Sequence, residues 1–237
     1  MASTAIQMPI RTDAGGAVLH GDLEVAERAL GLVLFAHGSG SSRHSPRNRA
    51  VAQALRDAGL GTLLMDLLTE AEEIIDDRTA ELRFDMGLLT ERVVAALDWA
   101  AREPAISGLR FGLFGASTGA AAALMAADKR PDLVAAVVSR GGRPDLAAES
   151  LPRVQAPTLL IVGGEDHVVI DLNRKAYAQM RCERRLAIVP GATHLFEEPG
   201  TLEEVARLAG SWFVNHLSRL QSRDRAIGDR AMLSRDR

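Results

Sequence analysis

The 237 residues are 47% apolar and 25% charged, with a net charge of −3. This is the balance of a globular chain long enough to bury a core. All but Lys129 and Lys175 of the 28 basic residues are arginines, and they form no stripe that would mark a nucleic-acid surface. Cys182 is the single cysteine, so an intrachain disulfide is excluded. No apolar run reaches the roughly 18 residues that span a bilayer. The N-terminal segment lacks the charged-then-apolar layout of a signal peptide, and the six histidines show no paired metal-ligand spacing. The expectation is a cytoplasmic protein with no metal or organic cofactor and no nucleic-acid or membrane partner.

In chain order, "AVLHGDLEV" (17–25) alternates loosely around a Gly-Asp pair and suggests a strand or hairpin at a sheet edge. "LGLVLFAHGSG" (30–40) is a continuous apolar run ending in glycines, as in a strand buried on both faces of a parallel sheet. A helix follows, with Ser45 as N-cap, Pro46 at its first position and Gly59 at its stop. "LGTLLMDLL" (60–68) is the next buried strand. Residues 69–84 are acidic and poorly periodic, which predicts a mobile loop or a short helix. "DMGLLTERVVAALDWAARE" (85–103) is an amphipathic helix ended by Pro104. Strand "LRFGLFGAS" (109–117) leads into helix "TGAAAALMAADK" (118–129). Three more strands follow in "DLVAAVVSRGG", "APTLLIVGGED" and "RRLAIVPGATH", with helices over 171–181 and 201–220. This alternation predicts one α/β domain over 1–220, a mostly parallel sheet flanked by helices with an antiparallel N-terminal edge. Residues 221–237 read as a charged, flexible tail.

Gly115, Ser117 and Gly119 form G-x-S-x-G, a pattern expected by chance about 0.1 times in a chain of this composition. Its context sharpens it, because it closes an apolar strand and opens a helix. A turn that tight holds the serine in a strained conformation with Oγ exposed above the sheet. A serine nucleophile needs a base and a group to orient it, supplied from the ends of later strands in the order Ser, acid, His. Asp166 and His194 sit just past two predicted strands, although Glu165 is an alternative acid and Asp166 could cap the following helix. The backbone N–H of Thr118 would be one oxyanion donor, and that of Ser39, in the loop "HGSGSSRHS", the other. His37 reads as a structural residue of that loop. Cys182 reads as a bystander, and Trp99 and Trp212 as core.

Taken together, "FAHGSG", "GLFGASTGA", "IVGGED" and "VPGATHLFEEPG" resemble the α/β-hydrolase superfamily, and within it the dienelactone-hydrolase-like group, over about residues 8–218. The resemblance implies Ser117 as nucleophile, Asp166 as acid, His194 as base, and Ser39 and Thr118 at the oxyanion. One departure stands out: true dienelactone hydrolases use a cysteine where this chain has Ser117. Some relatives carry a fused phosphoribosyltransferase domain, which is not expected within these 237 residues. The resemblance further implies a missing or minimal lid, since only residues 140–157 separate two strands where many relatives insert one. The pocket walls are then expected from 39–48, 68–84 and 140–150. They carry Arg43, His44, Arg140 and Arg143, which could meet a substrate anion or simply belong to an Arg-rich surface. Phe196, two residues beyond His194, lines the pocket or packs beneath its loop. The expected reaction is hydrolysis of a small carboxylic ester through an acyl-enzyme. Alternatives are a thioesterase, lactonase or cofactor-free haloperoxidase on the same triad, or a non-catalytic binding module; a homodimer is compatible with all of them.

Overall fold

The computed structural model describes residues 4–11 and 16–233, with side chains for 16–218. Eight strands form one sheet: β1 (Thr4–Arg11), β2 (Val18–Val25), β3 (Leu32–Ala36), β4 (Gly61–Met65), β5 (Phe111–Ala116), β6 (Val134–Arg140), β7 (Thr158–Gly163) and β8 (Arg184–Val189). Their spatial order is β1-β2-β4-β3-β5-β6-β7-β8. β1 and β2 pair antiparallel with each other, β2 pairs antiparallel with β4, and every later pairing is parallel. This is the α/β-hydrolase sheet with the antiparallel N-terminal edge that the sequence predicts.

The helices are α1 (Pro46–Asp57), α2 (Glu70–Thr79), α3 (Met86–Arg102), α4 (Thr118–Lys129), α5 (His167–Gln179) and α6 (Thr201–Leu233). They cover both faces, which is why β3, β4, β5 and β7 are buried at every position and read as unbroken apolar runs. Alternate side chains of one strand enter different cores. Leu32 and Leu34 pack with α3 and α4, whereas Val33 and Phe35 pack with α1 and α6. Trp99 and Trp212 lie against these two cores, as expected.

One element resolves an open alternative of the sequence reading, and two differ from it. Within 69–84 the chain forms α2, started by a capping box: Thr69 Oγ1 accepts the Glu72 amide and the Glu72 carboxylate accepts the Thr69 amide. The buried Asp76 then receives the Arg83 amide at 2.9 Å and its Nε at 2.6 Å, which fixes the turn after α2. α5 begins at His167, four residues earlier than its apolar pattern suggests. The backbone of α6 runs as helix through Leu233, past Gln221, where composition suggests a tail.

Two features shape the edge where β3 and β5 end. α4 crosses β5 and β3 so closely that backbone meets backbone. A Cβ on Gly119 would lie 2.3 Å from the carbonyl oxygens of both Ala36 and His37, and one on Gly115 would lie 2.4 Å from Ala120 Cα. The fully buried Ala120–Ala123 keep the facing side of α4 equally slim. The second feature is His37. Its Nδ1 lies 3.0 Å from the Gly38 carbonyl, which can only accept, so Nδ1 carries the proton. Nε2 therefore accepts the Leu67 amide at 3.0 Å, tying the loop after β3 to the end of β4. Burial holds this imidazole below its ordinary pKa of 6.5. The structural role expected for His37 is the one observed.

Two outcomes follow. Gly119→Ala should cost about 3 kcal/mol in denaturant unfolding, as severe overpacking does, and more than Gly108→Ala, where φ is +81° but nothing lies within 4 Å of the added Cβ. An equal cost for both would contradict the close-approach argument. Below pH 6.5 the unfolded chain protonates His37 while the folded chain resists. Stability should therefore fall as pH drops through that value, by up to about 1.4 kcal/mol per pH unit from this group. Chemical unfolding of His37→Gln across pH 5–8 should show a correspondingly shallower dependence than the parent protein.

Candidate active site

Ser117 ends β5 and precedes the first residue of α4, with φ +50° and ψ −121°. A non-glycine residue there costs about 1–3 kcal/mol and persists only when its surroundings enforce it. Here the Ser117 amide donates to the Arg140 carbonyl and the Ser117 carbonyl accepts the Arg143 amide, both at 3.1 Å. The main chain of the β6 end thus locks the turn. The Ser117 side chain makes no capping bond to α4, which leaves Oγ for other partners.

His194 lies in the loop after β8. Its Nε2 is 3.4 Å from Ser117 Oγ and its Nδ1 is 2.6 Å from Asp166 Oδ2. A carboxylate can only accept, so Nδ1 carries the proton and Nε2 presents its lone pair to the serine hydroxyl. Asp166 occupies the N-cap position of α5 without making a capping bond; its carboxylate is given to His194 instead. Glu165 is not the histidine's partner. Three residues from the ends of β5, β7 and β8 therefore meet at the carboxyl edge of the sheet, where open α/β sheets place their sites.

The histidine loop is braced on both sides. Glu198 accepts the Thr193 hydroxyl at 2.6 Å and the Thr193 amide at 3.1 Å; these bonds hold its carboxyl below the usual range. Sequence reasoning missed Glu198, and only its place four residues after His194 hinted at it. Phe196 is buried at φ +56°, so it packs beneath the loop rather than lining a pocket. The Arg140 guanidinium stands 5.8 Å from its ring centroid.

The expected oxyanion residues are adjacent, with an addition. The Ser39 amide donates to Thr118 Oγ1 at 3.0 Å, and Ser39 Oγ is 3.0 Å from the same oxygen. Beside them opens a cavity of about 240 Å³, with Leu67, Leu68 and Leu89 among its apolar walls and Glu73 and Arg83 among its polar ones. Desolvation first, then the charges of Asp66 and Asp77, push the Glu73 carboxyl up. The cavity uses the expected walls 39–48 and 68–84, but not 140–150. A larger apolar groove of about 670 Å³ between α1 and α6 shares no lining residue with this constellation.

The arginines proposed to meet a substrate anion separate. Arg43 pairs with Asp66 through its Nη1 and its amide, and lies 3.6 Å from Asp22. Arg143 is held bidentate by Asp145 at 2.7 and 2.9 Å. Both charges are paired within the chain, which favours the structural of the two alternatives. His44 is exposed, its amide donating to Ser42 Oγ. Arg140 is buried, and its pKa is lowered to about 10 by desolvation and, secondarily, by the like charge of Arg47. Cys182 is half-buried, its thiol pushed up by burial, and has no part in the constellation. Among the described residues no group of three His, Cys, Asp or Glu is placed to hold a metal ion, and no helix is long and apolar enough to cross a membrane.

The comparisons agree with this fold. A crystal structure described as dienelactone hydrolase from Anabaena variabilis ATCC 29413 is 55% identical and superposes with a TM-score of 0.88, covering 91% of this chain and 99% of that one. Est1E from Butyrivibrio proteoclasticus shares the fold at 16% identity and a TM-score of 0.74, over 90% of this chain and 99% of its own. A Mycobacterium tuberculosis H37Rv protein provisionally named a phosphoribosyl transferase is 55% identical over 208 residues, 88% of this chain but 46% of its own length. The chain thus spans about half the length of the curated relatives it matches. The model of the dienelactone hydrolase family matches residues 23–215. The chain belongs to the dienelactone hydrolase family.

Proposed function

We propose that this protein is a serine hydrolase that cleaves small carboxylic esters through an acyl-enzyme. The observation that carries the proposal is the hydrogen-bonded chain Ser117–His194–Asp166, with Ser117 held at positive φ on the carboxyl edge of the sheet. Ser117 Oγ attacks the carbonyl carbon as its proton passes to His194 Nε2. Asp166 stabilises the imidazolium across the 2.6 Å bond. The tetrahedral oxyanion forms over the N-terminus of α4, where the Thr118 amide has no helical acceptor and the helix dipole is positive. His194 returns the proton to the leaving alcohol. It then deprotonates a water that attacks the acyl-enzyme, and Ser117 is released with its proton restored. The 3.4 Å Ser–His separation is of the loose kind seen before substrate binds.

The cavity beside Thr118 is small and has leucines in its wall, which favours a short acyl chain. The name of the Anabaena relative supports a hydrolase. The transferase name belongs to proteins more than twice as long as the span they share with this chain, and the Ser117 constellation lies within the span matched by the hydrolase family. We place the protein in the cytoplasm.

Turnover of p-nitrophenyl acetate and butyrate, set beside matched thioesters and lactones, tests the reading. The short oxygen esters should give the highest kcat/KM, and Ser117→Ala should lower kcat by at least about 10⁴-fold without unfolding the protein. Undiminished hydrolysis in Ser117→Ala would refute the mechanism, and a preference for thioesters or lactones would replace the substrate class.

A further inference from the structure

The second oxyanion donor need not be a backbone amide in this chain. The Ser39 N–H, which the sequence offers for that role, is already committed: it donates to Thr118 Oγ1 at 3.0 Å. Ser39 Oγ lies 3.0 Å from the same oxygen and can donate to the Arg83 carbonyl at 3.4 Å. If Ser39 gives its hydroxyl proton to Arg83, the Thr118 hydroxyl must be the donor toward Ser39 Oγ. That leaves Thr118 Oγ1 as an acceptor from an amide and a donor through its own O–H, which turns freely about the Cβ–Oγ1 bond. Thr118 directly follows the nucleophile, is 3% exposed, and lines the cavity beside Ser39.

We infer that the Thr118 hydroxyl is a catalytic donor to the oxyanion, polarised by the Ser39 amide behind it. This rests on the serine-hydrolase reading above. With the Ser39 hydroxyl given to the Arg83 carbonyl, the resting O–H of Thr118 points to Ser39 Oγ. As negative charge develops on the substrate oxygen, the O–H turns to that oxygen while Oγ1 keeps the Ser39 N–H. No bond is made or broken and the proton stays on Oγ1. The amide strengthens the hydroxyl as a donor, because hydrogen bonds in a chain polarise one another. Thr118 then supplies two donors, its N–H and its O–H, and Ser39 acts as a positioning residue. Side-chain hydroxyls serve as oxyanion donors, and here the Ser39 amide fixes the position of Thr118 Oγ1 while its O–H turns to the charge. The same chain of bonds ends on Arg83, whose side chain is fixed by Asp76 at the end of α2, so the cavity wall and the donor are joined.

Thr118→Val and Thr118→Ser separate this from the simpler arrangement, because the two predict opposite signs. Valine removes the hydroxyl and releases the Ser39 N–H. If that amide were the direct donor, kcat in Thr118→Val would hold or rise. If the hydroxyl is the donor, kcat should fall about 100-fold with KM within about threefold. Affinity for an alkyl boronic acid, which mimics the tetrahedral oxyanion, should fall by a similar factor. Thr118→Ser keeps the hydroxyl and should restore kcat to within about threefold of the parent. Unchanged kcat in Thr118→Val overturns the inference. So does an equal loss in the Val and Ser variants, which would assign the effect to packing of the methyl group. A larger loss in Ser39→Ala than in Thr118→Val would also overturn it, moving the donor to Ser39 Oγ. These results would leave the hydrolase reading intact, whereas a parent protein inactive on every ester tested would bring down both.

Discussion

The structure turns on one strained residue. Ser117 occupies φ +50° between β5 and α4, and the surrounding backbone is arranged so that this is the only way for the chain to pass. α4 must start almost on top of β5 and β3. That is possible because Gly115 and Gly119 have no Cβ, which would lie only 2.3–2.4 Å from the Ala36 and His37 carbonyl oxygens and the Ala120 Cα. Alanines continue the slim surface for another turn. The cost of the strained serine, about 1–3 kcal/mol, is small beside the burial gained when α4 docks between β5 and β6. What the strain secures is an Oγ with no helix to cap, aimed at an imidazole 3.4 Å away.

Everything else at the site is positioned relative to that turn. The loop after β3 is pinned from below by His37, which spans from its own strand to the end of β4, and from the side by the Ser39–Thr118 bonds. The loop after β8 is pinned by Glu198 on Thr193 and by Phe196 buried beneath it. The loop after β7 gives up a helix cap so that the Asp166 carboxylate can hold His194. Charges nearby are mostly internal braces: Arg43 joins the loop after β3 to the middle of β2 and the end of β4, and Arg143 folds back on Asp145. Arg140 is the exception among the candidates, since it is desolvated and faces the like charge of Arg47.

The sequence made the meeting of Ser117, Asp166 and His194 legible because each follows an apolar run that reads as a buried strand, and because the turn chemistry of Gly115 and Gly119 has few other uses. Family resemblance sharpened the order of the three. The fate of the arginines was less legible. Arg143 has its partner two residues away in Asp145, a signal open to reading, but Arg43 finds Asp22 and Asp66 only when β2 and β4 become neighbours. Loop and short helix stay open over 69–84 in the sequence, although Thr69 and Glu72 spell the capping box of α2, because the acidic residues of its exposed face hide the period. The commitment of the Ser39 amide to Thr118 joins residues 79 apart in sequence, and no pattern in either segment announces it.

Membership of the dienelactone hydrolase family fixes the scaffold, and the proposed nucleophile on it is Ser117, where the resemblance read from the sequence leads one to expect a cysteine. The most direct measurement of whether that serine is the reactive group is covalent labelling of the folded protein with an alkyl fluorophosphonate, read by peptide mass spectrometry and by the crystal structure of the adduct. The account predicts a single phosphonyl group on Ser117 Oγ, its phosphoryl oxygen about 3 Å from the Thr118 amide, and loss of labelling in His194→Ala. A folded protein whose Ser117 stays unmodified while it turns over esters, or a label on a different residue, would contradict it.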